Sequence, residues 1–306
     1  MTRRGAIRSL ASGLLAGGAY AAEDPPVRTL RVTVLSTMLA DRGIGEWGFS
    51  ALVEANGRRV LFDTGARPET VLTNAREMKI DLSGVTDVIL SHNHGDHTGG
   101  LMTLREVLGK KNPSALSKAW VGKGIFLPRS GSPMPGAKAA YEKGGGTFEV
   151  LDAPREIFPG AWLTGPVPRK HPEKNWSGNV GSGDTIPEDQ SLVLDTVKGL
   201  VVVAGCGHAG IVNTFEYARA KVRQAPVYAA IGGFHLFNAS DEHLEWTAGH
   251  LKSMGLVHFL GAHCTGIEAV YKVRAAVGLT RRTCAVGAVG GVFDLESGLS
   301  PGALAR

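Results

Sequence analysis

Cysteine is scarce in this chain. There are three in 306 residues, Cys206, Cys264 and Cys284. An odd count without regular spacing excludes a disulfide framework, and a chain this long needs no such staple to bury a core. Charged residues make up 20% of the chain, with 33 basic against 28 acidic, below the roughly 25% of an average domain. The basic excess falls largely near the N-terminus, at Arg3, Arg4, Arg8 and Arg28. No basic run interleaved with aromatics follows, so a nucleic-acid partner is not expected. No apolar run is long enough for a stable membrane span. A phosphate-cradling P-loop is also missing.

The first residues do hold a leader pattern. Arg3-Arg4 form a positive start, Ala6 to Ala22 is weakly apolar and Gly-rich, and Ala19-Tyr20-Ala21 offers a small-residue cleavage site before Glu23-Asp24-Pro25-Pro26. Paired arginines ahead of Gly5-Ala6-Ile7 resemble a twin-arginine leader; a general secretory leader is the alternative. Residues 1–27 are thus expected to be a signal peptide with a short linker, handled by export machinery and leaving the protein periplasmic or otherwise exported. Residues 28–306 are read as one domain.

The densest chemistry lies in Ser91-His92-Asn93-His94-Gly95-Asp96-His97-Thr98-Gly99-Gly100, with three imidazoles and a carboxylate inside six residues. Asp87 to Leu90 reads as a buried strand before it and Leu101 to Leu108 as a helix after it, so the cluster sits in a strand-to-helix loop. His92 and His94 alternate and can reach one point. Asp96 and His97, past the Gly95 turn, can reach a second. Imidazole and carboxylate suit zinc, iron or manganese better than calcium.

The same strand-loop-helix plan recurs. Leu200 to Ala204 leads to Gly205-Cys206-Gly207-His208, Val227 to Ile231 to Gly232-Gly233-Phe234-His235, and Val257 to Leu260 to His263-Cys264-Thr265-Gly266. Helices are expected over 69–78, 211–223, 242–254 and 268–276. Hairpins are expected around Asn56-Gly57 and across 191–204, and a strand over 120–126. Two stretches, 128–146 and 166–187, read as irregular loops that flank or cover a site and set substrate choice. His171, in the second, is read as a solvated histidine and is assigned no metal. One cluster of four ligands cannot fill two metal sites, and His208 and His263, each after a strong strand, are the best distant candidates. Cys206 is a ligand or supports one. His235 contacts an anionic substrate group, holds a ligand in place, or is structural. Cys264 reads as packing, and Cys284 as plain core.

His-Asn-His-Gly-Asp-His matches the H-x-H-x-D-H signature, and the chain so resembles the metallo-β-lactamase superfamily. Leu61-Phe62-Asp63-Thr64-Gly65 supports the likeness, and the three downstream loops narrow it to the dihydropterin-ribofuranosylaminobenzene phosphate synthase branch. The resemblance implies an αββα sandwich, two mixed sheets face to face with helices outside, a plan the strand and helix pattern also supports. It also implies one metal on His92, His94 and His208, a second on Asp96, His97 and His263, and Asp63 as a buried carboxylate orienting a ligand. Whether Cys206 is a ligand, with His208 serving the other metal, stays open.

Two divalent ions, zinc first with iron or manganese as alternatives, imply a hydrolase that activates a shared water as hydroxide and attacks an ester, phosphoester or amide in a small-molecule substrate. Asp96 is the expected catalytic carboxylate. A transferase of the synthase type and a non-catalytic metal- or ligand-binding protein are the alternative classes.

Overall fold

The computed structural model describes residues 27–128, 132–173 and 186–305. The leader, Trp176 and most of the 166–187 stretch lie outside the described residues. Leu30–Ser36 (β1) is followed by the short Leu39–Ala40 (β2) and then Ser50–Ala55 (β3), which turns into Arg58–Phe62 (β4). Asn56 and Gly57 take φ of 47° and 79° at that turn, the left-handed pair that matches the twist of a tight hairpin. From β4 the pairing becomes parallel through Asp87–Leu90 (β5), Lys118–Gly122 (β6) and Thr147–Leu151 (β7). Thr70–Glu77 (α1), Gly95–Thr98 (α2), Leu101–Gly109 (α3) and Met134–Lys143 (α4) lie in the connections.

Arg155–Phe158 (β8), Ala161–Leu163 (β9), Ser191–Thr196 (β10) and Gly199–Ala204 (β11) start a second sheet by antiparallel pairing. Parallel Val227–Gly232 (β12), His258–Gly261 (β13) and Cys284–Val286 (β14) extend it. Ile211–Lys221 (α5), Asp241–Ser253 (α6) and Ile267–Val277 (α7) make its crossovers. Ala288–Val289 (β15) pairs with β2, while Val292–Asp294 (β16) and Gly298–Ser300 (β17) return to the first sheet. The orders are β17-β16-β1-β3-β4-β5-β6-β7 and β14-β13-β12-β11-β10-β9-β8.

Period-two alternation explains the layering. Phe62 and Ile89 point inward with Val201, Val203, Ile231 and Leu260 to form the core between the sheets. Their neighbours Leu61, Val88 and Leu90 point outward against Val71, Leu101 and Leu104 of α1 and α3. Val202 and Ala204 point the other way against Phe215, Leu251 and Val270 of α5, α6 and α7. Strands covered on both faces need apolar side chains on both, which is why β11 reads as Leu-Val-Val-Val-Ala. The result is the αββα sandwich.

One expectation fails. The 128–146 stretch is not loop throughout, because α4 occupies 134–143. Its prolines sit at the cap and first turn, where no helical N–H is required. Tyr141 anchors the helix from below: it is fully buried, donates to the Leu116 carbonyl and lies where any side chain at Gly146 would stand. The expected strand over 120–126 is shifted, ending at Gly122, where the chain turns under Glu188.

Truncating Phe215, wedged between α5 and the second sheet, is expected to expose the dependence on this outer layer. Phe215→Ala should lower unfolding free energy by about 3–5 kcal/mol, read from the urea midpoint. A midpoint equal to wild type would show that α5 does not pack as described.

Candidate metal centre

The parallel strands β5, β11, β12 and β13 and the end of β4 discharge their C-terminal loops at one rim of the sandwich, where open sheets of this kind place ligands. His94 is the residue before α2, and Asp96 and His97 sit on its single turn, so Gly95 redirects the chain between the two pairs of donors. His208 follows β11, His235 follows β12, and His263 opens a short 3-10 turn after β13.

The structure brings two triads together. Ligand-competent atoms of His92, His94 and His208 lie within 4.8 Å of one another, as do those of Asp96, His97 and His263. His92 Nε2 is 3.0 Å from His94 Nδ1, and the His208 ring centroid is 4.6 Å from that of His92. His97 Nε2 is 3.3 Å from His263 Nε2, and Asp96 Oδ2 is 3.3 Å from the same His263 nitrogen. Between the triads stands Cys206, whose Sγ is 3.1 Å from His97 Nε2 and 3.3 Å from Cys264 Sγ. Cys206 also groups with His92 and His97, and with His208 and His235.

These spacings fit a metal. A tetrahedron built on metal–nitrogen bonds of about 2.0–2.1 Å has edges of about 3.3–3.4 Å. Imidazole nitrogens facing one another at 3.0 and 3.3 Å approach that edge, and the nitrogen, oxygen and sulfur donors suit a first-row divalent cation.

Asp63 fixes the geometry. Fully buried, it accepts from the Ser91 N–H at 2.7 Å, from Ser91 Oγ at 2.8 Å and from His97 Nδ1 at 2.7 Å. Ser91 Oγ, donating to Asp63, accepts from His92 Nδ1 at 2.9 Å. Both imidazoles therefore carry their proton on Nδ1 and present Nε2 to the centre. Thr64 holds the same element from its backbone, through N–H and hydroxyl bonds to the His97 carbonyl. Gly205 makes the fit possible, since a Cβ there would stand 2.1 Å from Ser91 Oγ and 2.5 Å from Asp63 Oδ2.

Charge follows the same division. Burial, then the neighbouring imidazoles, hold His92 well below its ordinary value, so it stays neutral. Burial also pushes His97 down, but the charges of Asp96 and Asp63 outweigh it and raise the group to about 9. Burial pushes the Asp96 carboxyl up, and the charges and hydrogen bond of His97 and His263 overcome it, holding it well below the usual carboxylate range. Burial, then the Cys264 sulfur, push the Cys206 thiol up.

Several contributors were not singled out from sequence. Ser91 stands in the sequence only as the residue before His92, with nothing to mark its bonds to Asp63 and His92. Glu188, Asp189 and Asn93 support the ligand loops from below. Trp47 lays its ring 4.9 Å from that of His263 and 5.7 Å from Phe237, walling one side of the centre. Asp63, His235 and His263 hold φ of 55°, 46° and 47°, a left-handed backbone that costs a residue with a Cβ about 1–2 kcal/mol. His171 does not stand free in solvent: its Nε2 is 3.0 Å from Glu216 Oε1 and its ring lies beside Trp246 and His250. It lies in none of the donor groups. Cys284 is buried, away from those groups, with its thiol pushed up to about 12 by burial.

Comparison with known proteins finds a family and several relatives. The model of the metallo-beta-lactamase superfamily matches residues 48–118. The chain is 32% identical over 235 residues to 7,8-dihydropterin-6-methyl-4-(beta-D-ribofuranosyl)-aminobenzene-5'-phosphate synthase of Methanocaldococcus jannaschii, covering 71% of this chain and 79% of that protein. It is 29% identical over 231 residues to an uncharacterised protein of the same organism, covering 74% and 86%. A solved metal-dependent hydrolase of the beta-lactamase superfamily superposes with a TM-score of 0.70 at 28% identity, covering 88% of this chain and 99% of that one. The fold is shared with YhfI from Bacillus subtilis, at a TM-score of 0.55 and 14% identity.

The charge on His97 gives a pH dependence to the metal-free chain. Its folded value stands above the ordinary 6.5, so protonation favours the fold. That contribution is complete below pH 6.5 and is lost as pH rises through about 9. The melting temperature of chelator-treated protein should fall across this window, and His97→Gln should flatten the fall. A wild-type melting temperature that holds level or rises there would refute the charge assignment.

Proposed function

Since the chain belongs to the metallo-β-lactamase superfamily, we propose that it is an exported hydrolase holding two divalent transition-metal ions, zinc first, and acting on an ester, phosphoester or amide. The observation that carries this reading is the convergence of two donor triads with a thiol between them. In this reading His92, His94 and His208 hold one ion and Asp96, His97 and His263 the other. Cys206 lies within reach of both, so His208 and Cys206 need not compete for one place.

Two such ions would lower the pKa of a water toward about 7 and would polarise the oxygen under attack. The protein's own groups supply the rest. Asp63 and Ser91 lock the tautomers of His97 and His92. Asp96, a carboxylate across the neutral pH range, orients the attacking water beside its ligand role. His235 stands 4.7 Å, ring to ring, from His208, with Nδ1 lacking a hydrogen-bond partner. In this reading the imidazole contacts an anionic substrate group or steadies His208. Trp47 packs against His263 and Phe237 on the far side.

A second reading, transfer rather than hydrolysis, has its own support in the 32% identity to the archaeal synthase. The hydrolase reading draws on the 28% identity and near-complete coverage of the solved metal-dependent hydrolase. The leader pattern favours it too, because export would separate the chain from a cytoplasmic pterin. Among the described residues no helix is long and apolar enough to cross a membrane.

Elemental analysis should find about two transition-metal ions per loaded chain. A panel of phosphodiester, phosphomonoester, lactone and β-lactam substrates should show turnover that His92→Ala and Asp96→Ala each abolish while the melting curve stays cooperative. Absence of metal, or near wild-type turnover in either variant, would refute the reading. Formation of a pterin–aminobenzene product without any hydrolysis would select the transferase. X-ray absorption should resolve the thiol: sulfur scattering at about 2.3 Å beside nitrogen at about 2.0–2.1 Å, lost in Cys206→Ser, puts the sulfur on the metal. N-terminal sequencing of periplasmic protein should begin after Ala21, and material starting at Met1 would reject export through this leader.

A further inference from the structure

The His92–His94 loop belongs to the first sheet and the His208 loop to the second, so something must set their spacing across the sandwich. The residues that enter β10 lie between them. Glu188 is fully buried, and its Oε1 accepts the Asn93 N–H at 2.8 Å, the amide that separates His92 from His94. Asp189, 1% exposed, accepts the Ala209 N–H on Oδ2 at 2.8 Å, the residue next to His208. Gln190 completes the strap, donating its backbone N–H to the Ser91 carbonyl at 3.0 Å and Nε2 to the Leu90 carbonyl at 2.9 Å. Gly122 admits the strap, since a Cβ there would meet the Glu188 carbonyl oxygen at 2.1 Å.

We propose that Glu188 and Asp189 are positioning residues that set the distance between the His92–His94 pair and His208. The inference rests on the metal reading above and deepens it. Consecutive carboxylates on one backbone each take one amide from a different sheet. A change in reach at either therefore moves one loop against the other. The second triad is held from elsewhere: His97 by Asp63 and Thr64, the Asp96 carbonyl by the Phe49 N–H, and the His263 N–H by the Thr37 hydroxyl, so Glu188 and Asp189 reach one triad and not the other. A shift of about 1 Å at a catalytic centre is enough to matter, and outer groups that orient ligands commonly carry about 10–100-fold in metal affinity.

Cobalt(II) titration of the full metal-free chain, followed by visible absorption, tests this. Glu188→Asp and Asp189→Glu keep the charge but move the acceptor by one methylene. Each should weaken one of the two cobalt equivalents about 10–100-fold and leave the other unchanged. Glu188→Gln and Asp189→Asn keep an oxygen acceptor in place and should bind both equivalents as wild type does. Amide hydrogen exchange at Asn93 and Ala209, read on the same metal-free proteins, should speed up only in the reach-changing variants. Equal weakening of both equivalents, or a lower melting temperature with both affinities intact, would make the pair general scaffolding and overturn the proposal. Amide variants as weak as the reach variants would trace the effect to charge, and overturn it too. Where a reach variant does not fold, the amides decide, and loss of a cobalt equivalent in either is fatal. A wild type that takes up no cobalt refutes the metal reading itself, whereas failure of this proposal alone leaves wild-type uptake intact.

Discussion

The buried carboxylate of Asp63 is the interaction on which the rest of the centre depends. It leaves the last strand of the first hairpin with a left-handed φ of 55° and takes three hydrogen bonds, two from Ser91 and one from His97. Burying an ionised carboxylate is costly unless every lone pair is met. Here each donor that meets it belongs to the ligand loop, so satisfying the carboxylate and orienting the histidines are one event. The strained backbone at Asp63 is tolerated because those bonds over-determine it.

That local event becomes a binding site only because the fold gathers loops from both sheets. Parallel pairing after β4 and after β11 sends successive strand ends to the same rim, and helices cover the outer faces. The inner core of Phe62, Ile89, Val203 and Ile231 seals the base of the site from below. A sandwich this rigid can hold facing imidazole nitrogens at 3.0–3.3 Å, a spacing that flexible loops alone would relax, because nothing but a cation or a proton rewards it.

Much of this was legible in the sequence, for a physical reason. The motif loops follow strands buried on both faces, and such strands announce themselves as short continuous apolar runs ended by glycine. Helix α6, with Ser240 at its cap and acids in its first turn, is similarly explicit. Helix α4 was hidden because its prolines and glycines have the composition of a loop, while its one strong anchor, Tyr141, is satisfied by a carbonyl 25 residues away. Glu188 and Asp189 were hidden for a related reason. Their partners lie 95 and 20 residues distant, and three polar residues ahead of a strand look like any solvated turn. The left-handed backbones of His235 and His263 leave no mark beyond the glycines beside them. The neighbours of Cys206 were half legible: two cysteines stood beside motif histidines, but only the fold puts their sulfurs in contact.

The two triads differ in what a cation would meet. On the His92 side, burial keeps the imidazole neutral, and its Nε2 lone pair already faces the centre. On the His97 side, Asp63 and Asp96 stabilise a second proton on the ring up to about pH 9. The carboxylates that make this triad attractive to a dication thus also make it attractive to a proton, and near neutrality a cation must displace one to enter. Cys206 stands where both triads meet, its thiol kept protonated by burial, and it too yields its proton only to a neighbouring positive charge. A cation seated at the His92 triad would lower the proton affinity of Cys206 and His97 together, since both lie against it: the His92 and His97 ring centroids are 4.3 Å apart. Asp63 and Asp96 therefore make electrostatically unlike two triads that the fold makes geometrically alike.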